Sequence, residues 1–296
     1  MSRAASSGHL SHPLAGRSRR RRVLLVPAVQ ASLAEPEPAA QQTGLQTAVS
    51  EGRLDSGIDL QTLGEHNVAP SSDTQRFPQS HGDLQYLKRR VRSPQGLTWV
   101  FAGDSISMGA SHTQGSRSFC EFFTERMRWE LGRQLDVMIN TSVAGETSRG
   151  LFHNLAQRVL RFPTDVVSLM IGLNDARQSQ TEPSEFHDNL EQIIHVLRDH
   201  EILPLLQTPN GVGRLEDARR LTPFVDKIRG LATHYGLACI DHWDHWSIAA
   251  ANRGVLQSWL DSDGLHPNSR GHREMAKLMF SQLDVFDFNS PSCRDD

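Results

Sequence analysis

Val166-Val167-Ser168-Leu169-Met170-Ile171-Gly172-Leu173-Asn174-Asp175 is the stretch on which the fold turns. Its first six residues are apolar apart from Ser168 and do not alternate, as expected of a strand covered on both faces. A glycine then ends the run, and two short polar side chains follow. A strand buried on both sides implies a parallel sheet with helices above and below it. The neighbouring sequence repeats that order. Upstream, Thr98–Ala102 and Val137–Asn140 are strand-like. Phe119, Phe122, Phe123, Met127 and Leu131 lie between them at helical spacing, and Leu151, Leu155 and Val159 give a second helix face. Downstream, Phe186, Leu190, Ile193, Ile194 and Leu197 form a long helical stripe, and Ile202–Leu206 is the next strand. Phe224, Ile228, Leu231 and Tyr235 form another helix, Leu237–Ile240 the last strand, and Asn268 caps a final helix bearing Met275, Leu278 and Met279. Alternating strand and helix predicts an open α/β sheet, whose working residues follow the carboxyl ends of strands.

The polar residues at those ends form a coherent chemical set. Gly103-Asp104-Ser105 follows the first strand, Asn140-Thr141-Ser142-Val143-Ala144-Gly145 the second, and Gly172-Leu173-Asn174-Asp175 the third. Asp263-Gly264-Leu265-His266-Pro267 comes near the end of the chain. A serine hydroxyl is a poor nucleophile until an imidazole accepts its proton, and His266 is the candidate base. The other imidazole nitrogen needs an acceptor, and Asp263 is within one turn of chain. The N–H groups of Ser105 and Gly145 and the side-chain amide of Asn174 could point at a developing oxyanion. Asp104 and Asp175 are expected to shape their loops.

These four blocks resemble the SGNH (GDSL) hydrolases, named for the Ser, Gly, Asn and His they contain. The resemblance runs from Leu97 to Leu283 and keeps all four blocks in order. It implies a flavodoxin-like three-layer α/β/α sandwich with a central parallel sheet. It also implies ester hydrolysis through an acyl-enzyme on Ser105 with His266 and Asp263, an oxyanion hole of Ser105, Gly145 and Asn174, and no metal or cofactor. Glu146 stands where the family commonly has Asp. The expected substrate is a short acyl or acetyl ester of a small molecule or carbohydrate. An acyltransferase using the same intermediate, or a non-catalytic binding protein on this fold, would be the alternatives. The Gly-x-Ser-x-Gly elbow is absent because position 107 is serine, and no phosphate-binding glycine loop occurs.

Outside these blocks the chain reads differently. Residues 1–93 carry 12 Lys+Arg against 8 Asp+Glu, and residues 94–296 carry 19 against 26. An acidic catalytic region argues against nucleic acid as a partner, and no apolar run is long enough to span a membrane. Residues 1–40 are expected to be a disordered basic tail, 41–93 a partly ordered extension and 94–296 the catalytic domain. The Arg17–Arg22 cluster before Val23-Leu24-Leu25-Val26 outlines a secretory signal that Pro27 and Gln30 interrupt, so a cytoplasmic location is expected, with secretion as the alternative. Three scattered cysteines do not make a disulfide scaffold. Asp241, His242 and His245 lack a third metal partner and read as structural. Trp243, Trp246 and Trp259 precede Asp263 and could wall a substrate pocket or pack the core.

Overall fold

The computed structural model describes residues 82–109, 111–177, 181–251 and 253–294. The expected tail of residues 1–40, and the extension up to residue 81, lie outside the described residues. Five strands form one all-parallel sheet: β1 Thr98–Gly103, β2 Val137–Asn140, β3 Val166–Met170, β4 Leu203–Gln207 and β5 Ala238–Ile240. Their spatial order is β2-β1-β3-β4-β5. The three central strands are buried along nearly their whole length, whereas the edge strand β2 is half exposed. The register pairs Gly103 with Met170 and Met170 with Gln207, so β1, β3 and β4 end level.

Ten helices surround the sheet among the described residues. They are α1 Asp83–Arg90, α2 Ser105–Met108, α3 Phe119–Glu125, α4 Ser148–His153, α5 Leu173–Arg177, α6 Pro183–Asp199, α7 Leu215–Tyr235, α8 His242–Ala250, α9 Arg253–Trp259 and α10 Ser269–Gln282. The turns Arg126–Glu130 and Ala156–Leu160 continue the α3 and α4 segments as π-helix. One packed group joins α3, α10 and α9 to α8, and a second joins α4, α6, α7 and α5. This is the expected three-layer α/β/α sandwich. Aromatic side chains of β1 meet α3 edge-on, Trp99 on Phe123 at 4.8 Å and Phe101 on Phe123 at 5.7 Å between centroids. In the second group Phe186 of α6 meets Phe224 of α7 at 5.3 Å.

The strand order changes direction between β1 and β3, because β2 returns to the outside of β1. The chain therefore leaves β1 and β3 on opposite sides and opens a crevice at their carboxyl ends. Gly103 is required at the end of β1, since a Cβ there would collide with the Met170 carbonyl oxygen and the Ser107 hydroxyl. None of the described helices is long and apolar enough to cross a membrane.

Candidate active site

Ser105 is the first residue of α2, immediately after β1, and Asp104 caps that helix by accepting from the Ile106 N–H at 3.0 Å. The Ser105 hydroxyl lies 2.8 Å from His266 Nε2. His266 Nδ1 lies 2.5 Å from Asp263 Oδ2. A carboxylate only accepts, so Nδ1 carries the imidazole proton and Nε2 presents a lone pair to the serine. Asp263 is held in turn: its Oδ1 accepts from the backbone N–H groups of Leu265 and His266 at 2.8 and 3.0 Å. Burial pushes the Asp263 carboxyl up, but the His266 ring and these amides outweigh it and hold the carboxyl at about 2. The segment that carries both groups is closed by a bridge between Leu260 and Pro267 and by Asp261 N–H donating to the His266 carbonyl at 2.8 Å.

The other two blocks converge on the same crevice. Gly145 follows β2 with φ at +80°, a conformation that glycine adopts without steric cost, and it is exposed. Neither the Ser105 N–H nor the Gly145 N–H has an acceptor among the described residues. Asn174, in the first turn of α5 after β3, donates through Nδ2 to the Glu146 carbonyl at 3.0 Å, with Asp104 Oδ2 at 3.4 Å. Its amide is thus fixed against the residue next to Gly145. Asp175 is fully buried and accepts from the Ser148 N–H at 3.0 Å and the Ser148 hydroxyl at 2.6 Å, tying α5 to the start of α4. Asp104 is raised to about 7, first by burial and further by the nearby charges of Asp175 and Glu146. The arrangement can deprotonate a hydroxyl and offers unengaged N–H groups for a negatively charged oxygen.

Of the two readings open for the tryptophans, substrate wall or core packing, two of the three side chains take the second. Trp246 is fully buried and Trp259 nearly so, packed edge to face at 5.2 Å within the α8–α9–α10 group. Their large apolar area is better covered by the core than by a crevice, which corrects the substrate-wall reading for both. Trp243 is half-buried against the same core, its backbone N–H donating to Thr208 Oγ1 at 2.8 Å. The Asp241, His242 and His245 group does not converge on a metal. Asp241 pairs with Arg229 at 2.7 Å, and His242 Nε2 lies 2.7 Å from Gln207 Oε1. Burial lowers His242 to about 3, so the ring is neutral.

The reading of the sequence missed one histidine. His112, in the connection from α2 to α3, lies face to face with His266, ring centroids 3.6 Å apart and planes 4° from parallel. Its Nδ1 lies 3.0 Å from Asp261 Oδ2. Nothing in the local sequence marks it, because its partner is 149 residues away.

Residues 101–274 match the model of the GDSL-like lipase/acylhydrolase family. The chain belongs to that family. It is therefore a carboxylic ester hydrolase, and a serine triad with an oxyanion hole is typical of its family. No curated protein matches the sequence. Solved structures share the fold. One is a variant of Axe2, an acetyl xylan esterase from Geobacillus stearothermophilus, at 19% identity and a TM-score of 0.58, covering 67% of this chain and 100% of that one. A second is LAE5, an alpha/beta hydrolase enzyme from the metagenome of Lake Arreo, Spain, at 20% identity and 0.57, covering 66% and 97%. A third is the acetyl xylan esterase AlAXEase, at 22% identity and 0.55, covering 62% and 98%.

Proposed function

We propose that the chain hydrolyses esters through an acyl-enzyme on Ser105, and that its substrates are short acyl esters, acetyl above all, of a carbohydrate or small polar alcohol. The observation that carries the mechanism is the unbroken chain from Asp263 through His266 to the Ser105 hydroxyl, with contacts of 2.5 and 2.8 Å. His266 Nε2 takes the serine proton as Ser105 Oγ attacks the ester carbonyl. The oxyanion is met by the N–H groups of Ser105 and Gly145 and by the Asn174 Nδ2 proton that is held only loosely, at 3.4 Å from Asp104 Oδ2. Collapse passes the proton from His266 to the leaving alcohol, and water then repeats the sequence to free the acid. Asp263 stays ionised throughout and stabilises the imidazolium.

Gly145 stands exposed, and a Cβ at its position would meet nothing within 4 Å, so the oxyanion side of the crevice is open. The acetyl xylan esterases that share this fold make acetylated sugars the first substrates to try.

The test is a series of p-nitrophenyl esters from acetate to palmitate, run beside a serine-reactive phosphonate. Acetate should be turned over fastest, and the phosphonate should label Ser105 in the native chain and not in Ser105→Ala. Labelling elsewhere, or Ser105→Ala retaining more than about 10% of the activity, would remove Ser105 as nucleophile.

A further inference from the structure

His112 and Asp261 duplicate the carboxylate–imidazole unit of Asp263 and His266, one ring laid over the other. We infer that His112 is a positioning residue for the catalytic base: its ring fixes the plane of His266 and stabilises the imidazolium that forms there. The inference rests on the acyl-enzyme reading, in which His266 gains a proton and then passes it on in each half-reaction.

The argument begins with the stack. Two neutral rings prefer an offset or edge-on arrangement, and centroids 3.6 Å apart in nearly parallel planes leave little room for offset. Two imidazolium rings at that distance would repel. One charged ring over one neutral ring is the favourable case, since a cation is attracted to the face of an aromatic system. The Asp261 carboxylate accepts from Nδ1–H of His112, so the pair holds a ring with its face, not an N–H, turned to His266. His266 is mostly buried, with a side chain 14% exposed, so water screens the contact weakly.

The loop is built to hold this ring. Gly109, in a left-handed conformation, ends α2 directly against Ser118, which begins the α3 cap; a side chain at Gly109 would overlap Ser118. The loop thus closes at its own base. Thr113 Oγ1 donates to the Gly109 carbonyl at 3.0 Å, and Ser111 and Gln114, on either side of His112, both have positive φ. Two non-glycine residues in that region mark a conformation imposed by its surroundings.

The same three groups, His112, Asp263 and His266, bring ligand atoms within 4.8 Å of one another. A metal has to lie close to the plane of each imidazole it binds, and parallel rings 3.6 Å apart do not share such a point. Both Nδ1 atoms are also engaged by carboxylates.

The test uses the full chain with His112→Ala and His112→Phe, p-nitrophenyl acetate as substrate, the phosphonate as label, and Tm for each variant. His112→Ala should lower kcat about tenfold, between the size of an exposed and of a fully desolvated cation–π contact, with KM nearly unchanged. His112→Phe keeps an aromatic face and should recover kcat to within about threefold of the native chain. An Ala variant with native kcat, or a Phe variant as slow as the Ala variant at similar Tm, would overturn the proposal. A native chain that neither turns over ester nor takes the label would remove the serine reading itself, and this inference with it.

Discussion

Single side chains carry two predictions. If Asn174 donates to the oxyanion, its contact strengthens as charge develops, so Asn174→Ala should lower kcat far more than it raises KM. The expected loss is about 2.7–4 kcal/mol of transition-state stabilisation, by analogy with other deletions of one such donor. A side chain that only holds the Glu146 carbonyl would instead lower Tm and leave kcat intact; Tm and kcat of one sample separate the two. Asp104 carries a prediction about pH. Its carboxyl is raised to about 7 in the fold and titrates near 4 when unfolded, so the folded state prefers the protonated form. Stability from this group is therefore greatest below about pH 4 and is lost as pH rises towards about 7. Asp104→Asn keeps an oxygen for the Ile106 N–H and removes the titration. Its Tm relative to the native chain should climb between about pH 4 and 8, and a flat difference would contradict the assignment.

At the scale of elements, Asp175 couples two parts of the site. It joins the helix that carries Asn174 to the start of α4, just beyond Gly145. Asp175→Ala leaves the buried Ser148 N–H without an acceptor and takes the principal partner from its hydroxyl. The cost should be about 2–5 kcal/mol, read by urea denaturation, and kcat should fall as well because two donors lose their shared anchor. The elements themselves were legible in the sequence where burial is two-sided or periodic. β3 runs over Val166–Met170, inside the apolar stretch read as a strand covered on both faces, and the stripe from Phe186 to Leu197 lies on α6. α8 was not legible, because one of its buried positions is filled by a histidine: His242 and Trp246 share the inward face, and a polar ring there breaks the apolar pattern. Ser105, Gly145, Asn174, Asp263 and His266 could be found because each follows a strand or sits in a compact block. His112 could not, since a loop residue paired across the fold leaves no periodic trace.

The whole molecule adds α1 to the sheet's support. Leu87 and Val91 are buried, Asp83 accepts from Arg198 at 3.2 Å, and Arg133 donates to the Val91 carbonyl at 2.9 Å. A chain beginning at residue 94 would lose this helix, whereas one beginning at residue 82 would keep it. Burial of those two apolar side chains is worth about 3–6 kcal/mol. At roughly 2–4 °C per kcal/mol, the shorter chain should melt about 6–24 °C below the longer one, as scanning calorimetry would show. Equal melting temperatures would mean that α1 rests on the core without stabilising it.

The proposed nucleophile and base come from opposite ends of the described chain, 161 residues apart. A cut between α8 and α9 would divide the chemistry cleanly. The larger fragment would hold Ser105, Gly145 and Asn174 but not His266, and the smaller would hold Asp263 and His266 but not Ser105. Neither half could turn over an ester alone, so catalysis would count only reunited molecules. Fused to two proteins suspected of meeting, the halves would make a chromogenic reporter of that meeting.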